Sequence, residues 1–91
     1  MGVSASRSVV ATADNTSTGL KYVTGWSIEE TAGATATVYL RDQSNTGTKF
    51  IRIKLAANES VNMEYSSPVM FSQICFVNIS AGSVNMTVFG Y

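Results

Sequence analysis

The chain has 91 residues, with six Lys and Arg balanced by six Asp and Glu, one cysteine and no histidine. That length is enough for one domain with one core, and a net charge of zero supplies no overall field towards nucleic acid or an anionic membrane. The lack of histidine excludes a Ser-His-Asp relay, a Cys-His pair and imidazole metal sites, and a charged fraction of only 13% leaves the surface to Ser, Thr and Asn, poorly protected against self-association.

In chain order, residues 1–18 are rich in Ser, Thr and Ala and hold no sustained period. They are expected to form a flexible N-terminal arm, with one short strand around Arg7 to Thr12. Residues 19–91 are expected to form the folded domain. Leu20 to Glu30 reads as its first certain strand, with Tyr22, Trp26 and Ile28 on one side and a bulge or close backbone approach at Gly25. Thr31-Ala32-Gly33 is a turn. After it Ala34, Ala36, Val38 and Leu40 alternate with Thr35, Thr37, Tyr39 and Arg41, and the two alanines leave room for a bulky neighbour such as Trp26.

Asp42 to Gly47 is a hairpin loop of residues that tolerate left-handed or Asx-turn geometry. The next strand, Thr48 to Ala56, sets Ile51, Ile53 and Leu55 on a core face and Phe50, Arg52 and Lys54 on an outer face, with Lys49 beside them. Ala57-Asn58 turns into Glu59 to Tyr65, where Val61, Met63 and Tyr65 share a face. Pro68 is expected to interrupt the ladder and start a short edge segment. Gln73 to Ser80 reads as a central strand covered on both faces. Ala81-Gly82 then leads to Ser83 to Tyr91, with Val84, Met86 and Val88 opposite Asn85, Thr87, Phe89 and Tyr91.

No ten-residue segment carries helical spacing. The predicted fold is all-β: a small antiparallel β-sandwich or jelly-roll-like barrel of six to seven strands with an extended N-terminal arm.

Little of this sequence suggests catalysis. Glu29 and Glu30 are adjacent and so point to opposite faces of a strand, where they cannot act as a paired acid and base. Cys75, within Ile74-Cys75-Phe76-Val77, reads as a small buried hydrophobe rather than a nucleophile. Asp42 with Gln43, Ser44 and Asn45 is a thin hard-cation candidate, because it brings one carboxylate. No cofactor or metal is expected. The N-x-S/T triplets at Asn15, Asn58, Asn78 and Asn85 are no more than a Ser/Thr-rich composition produces. No secretory segment follows Met1 and no apolar run approaches the ~20 residues of a membrane span, so synthesis and initial retention in the cytoplasm are expected.

Phe50, Arg52 and Lys54 on one outer stripe, and Phe89 and Tyr91 on another, combine aromatic and basic side chains of the kinds enriched at protein interfaces. These five are the candidate interface residues. A single-stranded nucleic-acid platform is the weaker reading of so few cations.

The stretch Gly25-Trp26-Ser27-Ile28-Glu29-Glu30-Thr31-Ala32-Gly33, then Tyr39-Leu40-Arg41-Asp42, Ile53 to Ser60, Ile74 to Val77 and Ser80 to Val84 with Val88-Phe89-Gly90-Tyr91, resembles small virion proteins of tailed bacteriophages. The likeness covers roughly residues 20 to 91. Asn58 stands where those proteins usually have glycine, the Asp42 to Asn45 loop is longer than theirs, and Ser72-Gln73 replaces a glycine. The resemblance implies a virion localisation after assembly in the host cytoplasm. It also implies a capsid decoration protein that partners itself, as a homotrimer, and the major capsid protein or another virion protein, without nucleic acid or membrane. The polar arm is then expected to lie across the shell. The alternative it implies is a tail or fibre module for host recognition, with Trp26, Tyr39 or Tyr91 stacking on a sugar ring.

Overall fold

The computed structural model describes residues 7–12 and 14–91. Eight strands lie among them: β1 Arg7–Ala11, β2 Thr16–Ser17, β3 Tyr22–Glu30, β4 Ala36–Asp42, β5 Lys49–Leu55, β6 Ser60–Met70, β7 Cys75–Ala81 and β8 Val84–Gly90. They form two four-stranded antiparallel sheets, ordered β1-β8-β3-β6 (the first sheet) and β2-β7-β4-β5 (the second). Strand 1 thus pairs with 8, 2 with 7, 3 with 6 and 4 with 5. Consecutive strands change sheet everywhere except at the β4–β5 hairpin. This is the order of a long hairpin folded over on itself, the jelly-roll arrangement of a sandwich. Both sheets keep free edges, so the barrel alternative does not apply.

The strands number eight rather than six or seven because the segment read as an arm contributes one to each sheet. Arg7 to Ala11 pair with Gly90 to Met86, and Thr16 and Ser17 pair with Val77 and Phe76. Neither segment has a strong apolar pattern, and their hydrogen bonds come from strands some 60 to 80 residues later in the chain. Arg7 Nη2 also donates to Gly19 O at 2.6 Å. The expected course of the arm over a shell concerns residues that include 1–6, which lie outside the described residues.

The core is the inner face of each alternating strand. Ala36, Val38 and Leu40 of β4, Ile53 and Leu55 of β5, Cys75, Val77 and Ile79 of β7, and Val84, Met86 and Val88 of β8 are all buried. Burying each larger aliphatic side chain contributes about 1.5–3 kcal/mol. β7 is central but not covered on both faces as expected: its pattern alternates, with Phe76 and Asn78 half-buried on the outside. Ala34 is exposed in the β3–β4 turn and takes no part in making room for Trp26. Ala36 is instead the close neighbour of Gly82 (φ 82°), where a Cβ would come within 2.7 Å of the Ala36 Cβ.

In the first sheet, register breaks on β3 and on its partner β6 interrupt the regular ladder. The register of β3 slips between Val23 and Gly25 against both of its neighbours. Val23, with Trp26 and Ile28, therefore enters the core, while Tyr22 is only half-buried and stacks on Tyr91 at 5.2 Å. Glycine is needed at position 25 because a Cβ there would sit 2.5 Å from Met63 O. On the edge strand β6, pairing with β3 skips from Glu64 to Val69. Pro68 lies in that unpaired stretch, where its missing N–H costs no ladder bond, and the strand runs on through it to Met70. The Ala57-Asn58 turn, closed by Glu59 N donating to Ala56 O at 3.1 Å, carries the chain from one sheet to the other rather than into a hairpin.

One end of the sandwich is organised by a carboxylate. Continuing the inward parity of Ile28, Glu30 is 5% exposed. Its oxygens accept from the N–H groups of Ala32 (2.6 Å), Gly33 (2.8 Å), Ala34 (3.2 Å) and Asn58 (2.9 Å). Gly33 (φ 72°) and Asn58 (φ 61°) take the left-handed conformations that aim these groups inward. Glu30 N donates to Glu59 O and Thr31 N to Ser83 O, so three connections meet at Glu30 and Thr31.

Candidate functional site

On the second sheet, sending Ala36, Val38 and Leu40 into the core turns Thr37, Tyr39 and Arg41 outward. Cross-strand pairing then places Lys54 beside Thr37, Arg52 beside Tyr39 and Lys49 beside Arg41. The Tyr39 ring lies between two cations, with Lys49 Nζ 4.3 Å and the Arg41 guanidinium 5.3 Å from its centroid. Arg41 is fixed further, donating through Nε to Asn78 Oδ1 at 3.0 Å and through Nη1 to Gly47 O at 3.0 Å. Asn78 Nδ2 in turn donates to Asp14 Oδ1 at 3.0 Å, and Ile79 N donates to the same oxygen at 2.7 Å. Arg52 and Lys54 are exposed, and their side chains make no hydrogen bond or ion pair among the described residues.

The outer face of the first sheet differs in charge and shape. Phe89, Gly25 and Glu64 form one cross-strand row, Val10, Thr87, Ser27 and Asn62 the next, and Asn85, Glu29 and Ser60 a third. Where Gly25 lacks a side chain the sheet is hollowed. A groove of about 640 Å³ runs between Phe89, Thr24 and Glu64, and a second of about 530 Å³ adjoins it at Ser27, reaching Val10 and Glu29. Ser27 Oγ donates to Asn62 Oδ1 at 2.6 Å and Asn85 Nδ2 to Glu29 Oε1 at 3.3 Å. Val10 (66% exposed) and Phe89 (40%) are large apolar side chains of this face, and the edge strand β6 adds Met70 (58%).

The five candidate interface residues are therefore not brought together. Arg52 and Lys54 stand side by side on the second sheet, and Phe89 stands on the opposite face of the molecule, on the first. Phe50 leaves the Arg52 row because the ladder slips between Leu40 and Arg41, opposing Ile51 to Leu40 and Lys49 to Arg41 and leaving Phe50 as the extra residue. Its ring packs 4.8 Å from the fully buried Phe71. Tyr91 stacks on Tyr22, and its carbonyl accepts from Lys21 N and Tyr22 N. Tyr39 and Arg41 were within reach of the alternation argument as outward residues, as was Glu64, opposite Val61 and Tyr65 on β6; the sheet that each strand joins was not. Trp26 is 4% exposed and donates through Nε1 to Tyr65 Oη at 3.1 Å, which leaves no free ring face for a sugar.

Among the described residues no group of three His, Cys, Asp or Glu side chains converges on a metal-sized site. Asp42 Oδ1 accepts from Gln73 N at 2.8 Å, tying two loops together. Burial pushes the Cys75 thiol up to about 12, only partly opposed by a hydrogen bond from Thr18, and a thiol in that state is a poor nucleophile. Cys75 is accordingly expected to resist a disulfide reagent such as DTNB in the native protein and to react in full once denaturant opens the fold. Rapid labelling without denaturant would show the pocket to be open. Compared with protein-family models, with curated proteins and with solved structures, the chain has no match.

Proposed function

We propose that this chain is a non-enzymatic structural protein of a tailed-phage virion, a decoration subunit that binds the shell as an oligomer. The observation that carries the reading is the state of its two broad faces. A domain of 91 residues holds unpartnered Arg52 and Lys54 on one face and exposed Val10 and Phe89 on the other, features suited to contact with other proteins. The stretches that carry the phage resemblance add support: Glu30 to Gly33 and Ala57 to Glu59 meet at one end of the sandwich around the Glu30 carboxylate, and Thr31 N ties Ser83 to the same end. The partners on this reading are sister copies, as a trimer, and the major capsid protein or another virion protein. Weak contacts repeated over a lattice add through avidity. Cryo-electron microscopy of particles of a phage encoding the chain is expected to show trimers spread over the shell in high copy number.

A second reading, a glycan-binding module on a tail or fibre, is favoured by the groove at Gly25. There an exposed Phe89 ring, Glu64 and Asn62 line one hollow, the mixture of aromatic face and polar groups that sugars require. Density confined to the tail in a dozen or fewer copies would replace the first reading with this one.

A further inference from the structure

The net charge of zero conceals a separation of charge. Four of the six cations, Arg41, Lys49, Arg52 and Lys54, occupy the outer face of the second sheet. The outer face of the first sheet carries Glu29 and Glu64 and no described cation. Asp14, at the β2 edge of the basic face, is already held by Asn78 and Ile79.

We infer that copies of this chain associate head to tail, the basic outer face of the second sheet of one copy docking on the acidic, Val10- and Phe89-bearing outer face of the first sheet of the next. The inference rests on the reading that sister copies are partners, and it specifies the contact. Two-fold pairing through either face alone would set like charges against each other, whereas opposite faces attract. The residues singled out in the sequence also fall on both faces, and only a heterologous contact uses Arg52 and Lys54 together with Phe89. The principal extents of 45 × 25 × 18 Å give each broad face room for the about 800 Å² per partner of a standard interface. Tyr39, fixed between Arg41 and Lys49, supplies a rigid aromatic at the centre of the basic side. A contact of this kind closes into a ring where the rotation between copies permits and otherwise extends as a stack.

The test is sedimentation equilibrium of the full chain with two charge-reversed variants. R52E/K54E sets two glutamates against the remaining Arg41 and Lys49 and so removes the basic excess of the second sheet, and E29K/E64K makes both faces basic. Every altered side chain is exposed, and circular dichroism checks that the fold is kept. Wild type is expected to associate at low ionic strength and to dissociate as salt rises. Each variant alone should associate at least about tenfold more weakly, and an equimolar mixture of the two should recover the association, because the unaltered basic face of E29K/E64K meets the unaltered acidic face of R52E/K54E. A wild type that is monomeric at low salt overturns the inference, as does a variant that associates as tightly as wild type or a mixture that fails to recover. None of these results touches the virion reading, which stands or falls on copy number in particles.

Discussion

Phe71→Ala is expected to leave the domain close to unfolding at 37 °C. Phe71 is the largest of the fully buried side chains, and it lies in the connection that carries the chain from β6 in the first sheet to β7 in the second. Its backbone N–H donates to Lys21 O at 2.8 Å and its ring meets Phe50, so the residue closes one end of the sandwich. Replacing a buried phenylalanine by alanine costs about 3–5 kcal/mol, part lost transfer energy and part the cavity left behind. A domain of this size has about 5–14 kcal/mol in total. At about 4–8 °C per kcal/mol the expected fall in Tm is about 12–40 °C, read by circular dichroism. Phe50, still 39% exposed, should cost less than half as much when replaced. A loss of under about 5 °C for Phe71→Ala would mean that this end of the sandwich is not closed as described.

The same corner shows what the sequence makes legible. Strict alternation marks the inner residues of β4, β5 and β8 well, because those strands are regular and each has one face on the core. Val38, Leu40, Ile53, Leu55, Met86 and Val88 are all where the pattern puts them. Tyr22 and Phe50 are not, because each stands beside a bulge, and one added residue hands the inner position to a neighbour. Gly25 signals the first bulge, and no comparable residue signals the second. Of the two strands in the arm, β1 is legible as the short strand expected around Arg7 to Thr12, but β2 is not: a two-residue Thr-Ser segment becomes a strand only when β7 offers it an edge, and that pairing is non-local.

The charge separation lies beyond composition for a related cause. Whether Glu64 and Arg52 share a face or oppose each other depends on the sheet that each strand joins. β5 and β6 are neighbours in sequence, joined by a four-residue turn, yet they lie in different sheets. A hairpin at Ala57-Asn58 would have mixed the charges on one surface; the crossover keeps them apart.

The turn at Thr31 to Gly33 is legible as a turn, but not as the binding site of its own preceding carboxylate. Glu30 accepts four backbone N–H groups, and the hydrogen bond from Asn58 is the largest influence holding its carboxyl below the ordinary 4.5, against the opposing pull of burial; the bonds from Ala32, Ala34 and Gly33 add to it. Because the folded value lies below the unfolded one, the stabilisation is fully present above pH 4.5 and is lost as the pH falls through the folded value. Glu30→Gln keeps the size but offers a single acceptor oxygen, and it turns an NH2 group towards backbone donors. At pH 7 the variant is expected to melt lower by on the order of 10 °C, as a broken hydrogen-bond network at a buried end requires. The difference between the two proteins should then begin to shrink as the pH is lowered below 4.5 and go on shrinking until wild-type Glu30 takes up a proton and comes to resemble glutamine. Contributions of the other carboxylates are common to both proteins and cancel in the difference. A difference in Tm that stays constant as the pH falls would show that the loss comes from packing rather than from the charge, and would remove the carboxylate as the clamp joining the β3–β4 and β5–β6 turns.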